Sequence, residues 1–128
     1  MSLRRVALVE DNPDNRLLVQ AILEDLYTID EYETGVEALV GMKASLPDLV
    51  LLDISLPEMD GTEVLRRMRE DASLAAVPVI ALTAHAMAGD RERFLALGFD
   101  RYLTKPIVDF DVLVSAVEEL LEGKGAGG

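Results

Sequence analysis

Residues 50–61 read VLLDISLPEMDG, and the fold follows from how that stretch is read. An apolar run, Leu49-Val50-Leu51-Leu52, gives way at once to a carboxylate, Asp53, and then to a loop holding Pro57 and Gly61. The run shows no alternation of polar and apolar residues. Strands buried on both faces have that pattern, and such strands belong to parallel sheets covered by helices. Val6-Ala7-Leu8-Val9 and Val79-Ile80-Ala81-Leu82 repeat it. Two weaker candidates complete the set: Tyr27 to Glu33, mixed and acidic as an edge strand is, and the short Arg101 to Thr104. Asp53 at the mouth of a buried strand is either a solvated strand end or a reactive group, and as a reactive group it is expected to be exposed to attack.

Between these runs the apolar period becomes helical. Leu18, Val19, Ile22 and Leu26 form a stripe after DNPDN, where Asn12 can cap and Pro13 suits the first turn. Thr34 and Glu37 have capping-box spacing ahead of Ala38, Leu39 and Met42. Val64, Leu65 and Met68 mark a third helix. Met87, Phe94 and Leu95 mark a fourth, closed by Gly98, and Phe110, Leu113, Val117 and Leu120 a fifth. The expected fold is therefore α/β, a (βα)5 doubly wound parallel sheet of flavodoxin-like type. Its expected order, 2-1-3-4-5, is one that five-stranded doubly wound sheets commonly take. In such a sheet the functional crevice lies at the carboxyl ends of strands 1 and 3.

The 128 residues suit one domain, and half of them are hydrophobic, enough for a packed core. A net charge of −12 argues against a nucleic-acid-binding surface, which needs clustered Lys and Arg. With no cysteine there is no thiolate chemistry and no Cys-based zinc site. No apolar run is long enough for a signal peptide or membrane insertion, so a cytoplasmic location is expected.

The strand ends carry the chemistry. Strand 1 ends in Glu10-Asp11 and strand 3 in Asp53, delivering three carboxylates to one crevice; strand 4 ends in Thr83, and Lys105-Pro106 follow strand 5. Two like charges about 4 Å apart repel by on the order of 4 kcal/mol at an effective dielectric of 20. Crowded acids must therefore be protonated, held apart or neutralised. Oxygen ligands suit a hard divalent cation, and Mg²⁺ keeps waters and binds phosphate oxygens as well. A cation site, an ammonium and a hydroxyl around one carboxylate make a cradle for a phosphoryl group. Asp53 would then be the nucleophile, forming an acyl phosphate.

VALVEDN, LVLLDISLPEMDG, VIALTAHA and YLTKPI together resemble the receiver domains of two-component response regulators, over about residues 4 to 122. The resemblance implies a receiver domain over 4–122, with 123–128 a flexible tail or linker stub. It implies Asp53 as phosphoacceptor, with Mg²⁺ (or Mn²⁺ in its place) held by Asp11, Asp53 and the Ser55 backbone carbonyl, and by Glu10 through water. Thr83 and Lys105 would contact the phosphoryl group. Thr83 and Tyr102 would form the switch that remodels the face of helix 4, strand 5 and helix 5. Ser55 and His85 occupy positions that tune dephosphorylation. Asn15, Leu17, Pro106 and Ile107 would meet the phosphodonor, a sensor histidine kinase or a histidine phosphotransfer protein. The downstream effector is not readable, and the chain would be a monomer or a phosphorylation-dependent dimer, either working alone or forming one domain of a longer protein. Such a domain is a signalling module that catalyses only its own phosphorylation and dephosphorylation. Two other readings use similar parts. A haloacid-dehalogenase-type phosphatase needs a second Asp two residues after the first, where Ser55 stands. A flavodoxin-like cofactor binder needs a phosphate-friendly first loop, where EDNPDN is acidic.

Overall fold

Each apolar run becomes a strand and each helical stripe a helix, in strict alternation: β1 (Arg5–Val9), α1 (Pro13–Leu23), β2 (Thr28–Tyr32), α2 (Gly35–Ala44), β3 (Leu49–Asp53), α3 (Gly61–Glu70), β4 (Val79–Thr83), α4 (Asp90–Leu97), β5 (Arg101–Thr104) and α5 (Phe110–Gly127). The structure is a computed structural model and describes residues 3–84, 89–105, 107 and 109–127. All strand pairs are parallel, and the sheet order is β2-β1-β3-β4-β5.

Every residue of β3 and β4 is buried, while β2 and β5 are mostly half-exposed, as edge positions dictate. Because successive strand side chains point to opposite faces, the central runs divide into two cores. Ala7, Val9, Val50, Leu52, Val79 and Ala81 pack against α2, α3 and α4 through Met42, Leu65, Met68 and Phe94. Val6, Leu8, Leu49, Leu51, Ile80 and Leu82 pack against α1 and α5 through Val19, Leu23, Leu113 and Val117. This double burial is why the strands carry no alternation.

Helix starts follow the sequence signals. Asn12 Oδ1 accepts from the Asp14 and Asn15 N–H groups with Pro13 in the first turn, and Thr34 Oγ1 accepts from Glu37 N. The Glu37 carboxylate closes its half of the box on Glu33 N, one residue earlier than the usual partner. Gly98, at φ 112, caps the end of α4 in the left-handed region that suits glycine.

Three expectations need correction. Leu26 lies beyond α1 and is exposed, because the helix stops at Leu23, whose carbonyl accepts the Leu26 N–H in the turn toward β2; Leu23 takes the buried place instead. Leu95 is exposed on α4, leaving Phe94 as that helix's buried anchor. Phe110, the first residue of α5, is exposed ahead of the face formed by Leu113, Ala116, Val117 and Leu121. That helix runs on to Gly127. Met87 lies outside the described residues.

Candidate functional site

β1 and β3 are neighbours in register from Val6 and Leu49 to Val9 and Leu52, so their carboxyl ends finish side by side. Asp53 closes β3, where Ile54 N donates to Leu82 O at 2.9 Å and Gly61 N donates to Ile54 O at 3.0 Å. These bonds fold the chain back so that α3 begins against the strand end. The Asp53 carboxylate accepts from Ser55 N at 2.9 Å on Oδ1 and from Lys105 Nζ at 3.1 Å on Oδ2. The expectation of an exposed Asp53 is overturned. The residue is only 1% exposed, because Lys105 and Glu10 close around it. It still lines an open cleft of about 400 Å³, together with Glu10, Asp11, Asn12, Asn15, Ser55, Ala84 and Lys105.

Glu10, Asp11 and Asp53 each offer a carboxylate oxygen within 4.8 Å of the others. Glu10 is as buried as Asp53, whereas Asp11 is exposed. Burial first, and then the hydrogen bond to Asp53, push the Glu10 carboxyl up to about 7, with Lys105 pulling the other way. Burial acts to lower the Lys105 pKa, but hydrogen bonds to Glu10 (3.0 Å) and Asp53 outweigh it, so the ammonium is held more firmly than usual. Three carboxylates against one ammonium leave an excess of two negative charges when all are ionised. A hard divalent cation with oxygen ligands answers that excess and fits the donor set.

The other expected residues fall into place unevenly. Thr83 ends β4 and is buried, its carbonyl accepting from Lys105 N at 2.7 Å. Tyr102, on β5, is half-buried with its ring 5.9 Å from that of Phe94 on α4. Ser55 is exposed at the cleft, and Asn15 lines it too. Leu17 projects from α1 at 70% exposure, while Ile107 is half-buried against the α1–α5 core. His85 and Pro106 lie outside the described residues.

Two features were missed at the level of sequence. Arg16, in the first turns of α1, donates from Nη1 to the carbonyl oxygens of Glu10 (2.8 Å) and Asp11 (3.1 Å). The available signal was a single cation four residues past the Asn12 cap in an otherwise acidic stretch. Glu58 holds a φ of 65 in the loop before α3, which nothing in its residue type announces.

Residues 6–118 match the profile of the family described as "Response regulator receiver domain". The sensor protein GacS of Pseudomonas syringae pv. syringae is 44% identical over 107 residues, covering 80% of this chain and 12% of its own length. The chain thus spans only a small part of that relative. The polar-differentiation response regulator DivK of Brucella ovis is 42% identical over 105 residues, 81% of this chain and 85% of that protein. Among solved structures, the receiver domain of the sensor histidine kinase PA1611 from Pseudomonas aeruginosa PAO1 superposes with a TM-score of 0.85 at 34% identity, covering 94% of this chain and 99% of that one. That structure holds a magnesium ion coordinated in its active site cleft. A parallel five-stranded sheet in this order, three carboxylates gathered at its central strand ends and a family match over nearly the whole length converge on one assignment: the chain belongs to the response regulator receiver domain family.

Proposed function

We propose that Asp53 is the phosphoacceptor of this receiver domain, taking a phosphoryl group from the phosphohistidine of a sensor histidine kinase or histidine phosphotransfer protein. The observation that carries the reading is the convergence of Glu10, Asp11 and Lys105 on the Asp53 carboxylate. In the transfer an Asp53 oxygen forms the new P–O bond while the P–N bond breaks, and the imidazole leaves with the bonding electron pair. Lys105, whose Nζ lies 3.1 Å from Asp53 Oδ2, would exchange its partner carboxylate for a phosphoryl oxygen. The Thr83 hydroxyl, from the residue that ends the adjacent strand, would meet another.

Glu10, Asp11 and Asp53 would hold Mg²⁺, or Mn²⁺ in its place, with the Ser55 carbonyl as a further ligand. Such an ion neutralises charge on the phosphoryl oxygens. The receiver domain would comprise residues 4–122 of a cytoplasmic protein. Its output would run through Thr83 and Tyr102 to the face formed by α4, β5 and α5, where Tyr102 already rests against Phe94. Donor docking would use Asn15, the exposed Leu17 and Ile107. Against an aspartyl-phosphate phosphatase stands Ser55, where a second Asp would be required.

Incubation with acetyl phosphate and Mg²⁺ tests the reading. Intact mass should rise by one phosphoryl group, and Asp53→Asn or EDTA should abolish the gain. A wild type that stays unmodified, or an Asp53→Asn variant that is still labelled, overturns it.

A further inference from the structure

We propose that Arg16 is a positioning residue for the divalent cation, because its guanidinium fixes the peptide backbone from which two of the three ligand carboxylates project. The inference rests on the metal-dependent reading above. β1 ends at Val9, so the Glu10–Asp11 peptides lie beyond the strand ladder. Their main-chain anchors are Glu10 N to Tyr32 O at 3.0 Å and the two carbonyl bonds from Arg16 Nη1. Asp11 is exposed, so burial does little to hold it in place.

The other end of the guanidinium is fixed as well. Nε lies 3.4 Å from Glu31 Oε1 and Nη2 lies 3.3 Å from Glu33 Oε1, with the Arg16 side chain only 15% exposed. One rigid group therefore ties the loop after β1 to β2 and the residue following it, leaving the acidic side chains free to face the cleft. Arg16 itself is not among the residues lining that cleft, so it acts through Glu10 and Asp11 and touches neither cation nor phosphoryl group.

Charge and position pull in opposite directions. A bare cation near the site would oppose Mg²⁺, but Glu31 and Glu33 flank this one and offset its field, so the positional effect dominates. A lysine keeps the charge and loses the fork: a single ammonium cannot reproduce the planar multi-donor geometry.

The test titrates Mg²⁺ into the whole chain by calorimetry, for wild type, Arg16→Ala and Arg16→Lys. Thermal unfolding is recorded in EDTA, and acetyl phosphate labelling is followed across Mg²⁺ concentrations. Groups that orient metal ligands typically change affinity by 10–100-fold, and Arg16→Ala should raise the Mg²⁺ Kd by about tenfold, the low end of that range. The half-saturating Mg²⁺ for labelling should move by the same factor, with the labelling rate at saturation little changed. Arg16→Lys should weaken binding by roughly threefold, an intermediate loss from a donor that keeps charge without the fork, and it decides the question if Arg16→Ala shows no cooperative unfolding. A Kd that is unchanged or tighter in the folded variants overturns the proposal, tighter binding meaning that charge dominates. Wild-type protein that binds no Mg²⁺ and takes no phosphoryl group overturns the functional reading itself, a result distinct from equal affinities in wild type and variant.

Discussion

Gly61 stands at the first position of α3, and a Cβ built there would come within 2.4 Å of the Asp53 carbonyl oxygen and 2.9 Å of Ile54 Cα. Any side chain at 61 must therefore push α3 away from the strand end that carries Asp53. Gly61→Ala gains up to about 1 kcal/mol of helix propensity, but backbone crowding of this kind costs about 1–3 kcal/mol. The variant should be less stable in urea and slower to accept phosphoryl from acetyl phosphate; a variant as stable and as reactive as wild type would show that the contact relaxes freely. Glu58 poses the opposite problem. Its φ of 65 closes a tight turn in which Met59 N donates to Pro57 O at 2.7 Å. A left-handed L-residue costs roughly 1–2 kcal/mol and glycine's extra backbone entropy returns about half of that, so Glu58→Gly should gain on the order of 0.5–1 kcal/mol in denaturant unfolding.

At the level of elements, α3 begins with two acids whose charge the helix uses. Asp60 caps it, its carboxyl held below the usual range by Thr62 Oγ1 and then by the Glu63 N–H. Glu63 is lowered to about 2 by hydrogen bonds from Arg66 and then Arg67. Groups depressed on folding bind fewer protons in the native state, so their stabilisation is present above the unfolded carboxylate range near 4 and is lost as pH falls toward 2. Asp60 is exposed and Glu63 half-exposed, and salt screens much of the effect. Asp60→Asn keeps a good cap, so its urea midpoint at pH 7 should stay near wild type, while the drop from pH 7 to pH 3 should be smaller; an identical drop would remove Asp60 from the acid limb.

Legibility also divides by element. The central strands could be read because burial on both faces erases alternation, and both faces are filled. The ends of stripes could not: nothing in Leu26 or Phe110 says that the helix has already stopped or has only begun. The site acids were legible because topology alone places strand ends together. The closure of Lys105 over Asp53 and the reach of Arg16 to two carbonyls were not, since both depend on side-chain paths between distant parts of the fold.

Across the whole molecule, the site joins elements that meet only when the sheet is complete. Glu10 and Asp11 follow β1, Asp53 ends β3 and Lys105 follows β5, so the cluster draws on both central strands and an edge. The folded chain holds like charges together, and burial first, then the hydrogen bond to Asp53, raises the Glu10 pKa to about 7. A cation that binds this cluster has no comparable site in the unfolded chain, where residues 10 and 53 are separated. Binding must then stabilise the native state by mass action, by about 2.7 kcal/mol at a hundred times the Kd. For a domain of this size that corresponds to a rise in Tm on the order of 10 °C. The rise should grow with the logarithm of Mg²⁺ concentration, vanish in EDTA and shrink sharply in Asp53→Asn, which removes one of the three carboxylates. Differential scanning calorimetry with Mg²⁺ from micromolar to tens of millimolar measures it. A Tm indifferent to Mg²⁺ would mean that the three carboxylates, close as they are, do not act together on a cation; an equal rise in Asp53→Asn would place the binding elsewhere on this strongly acidic chain.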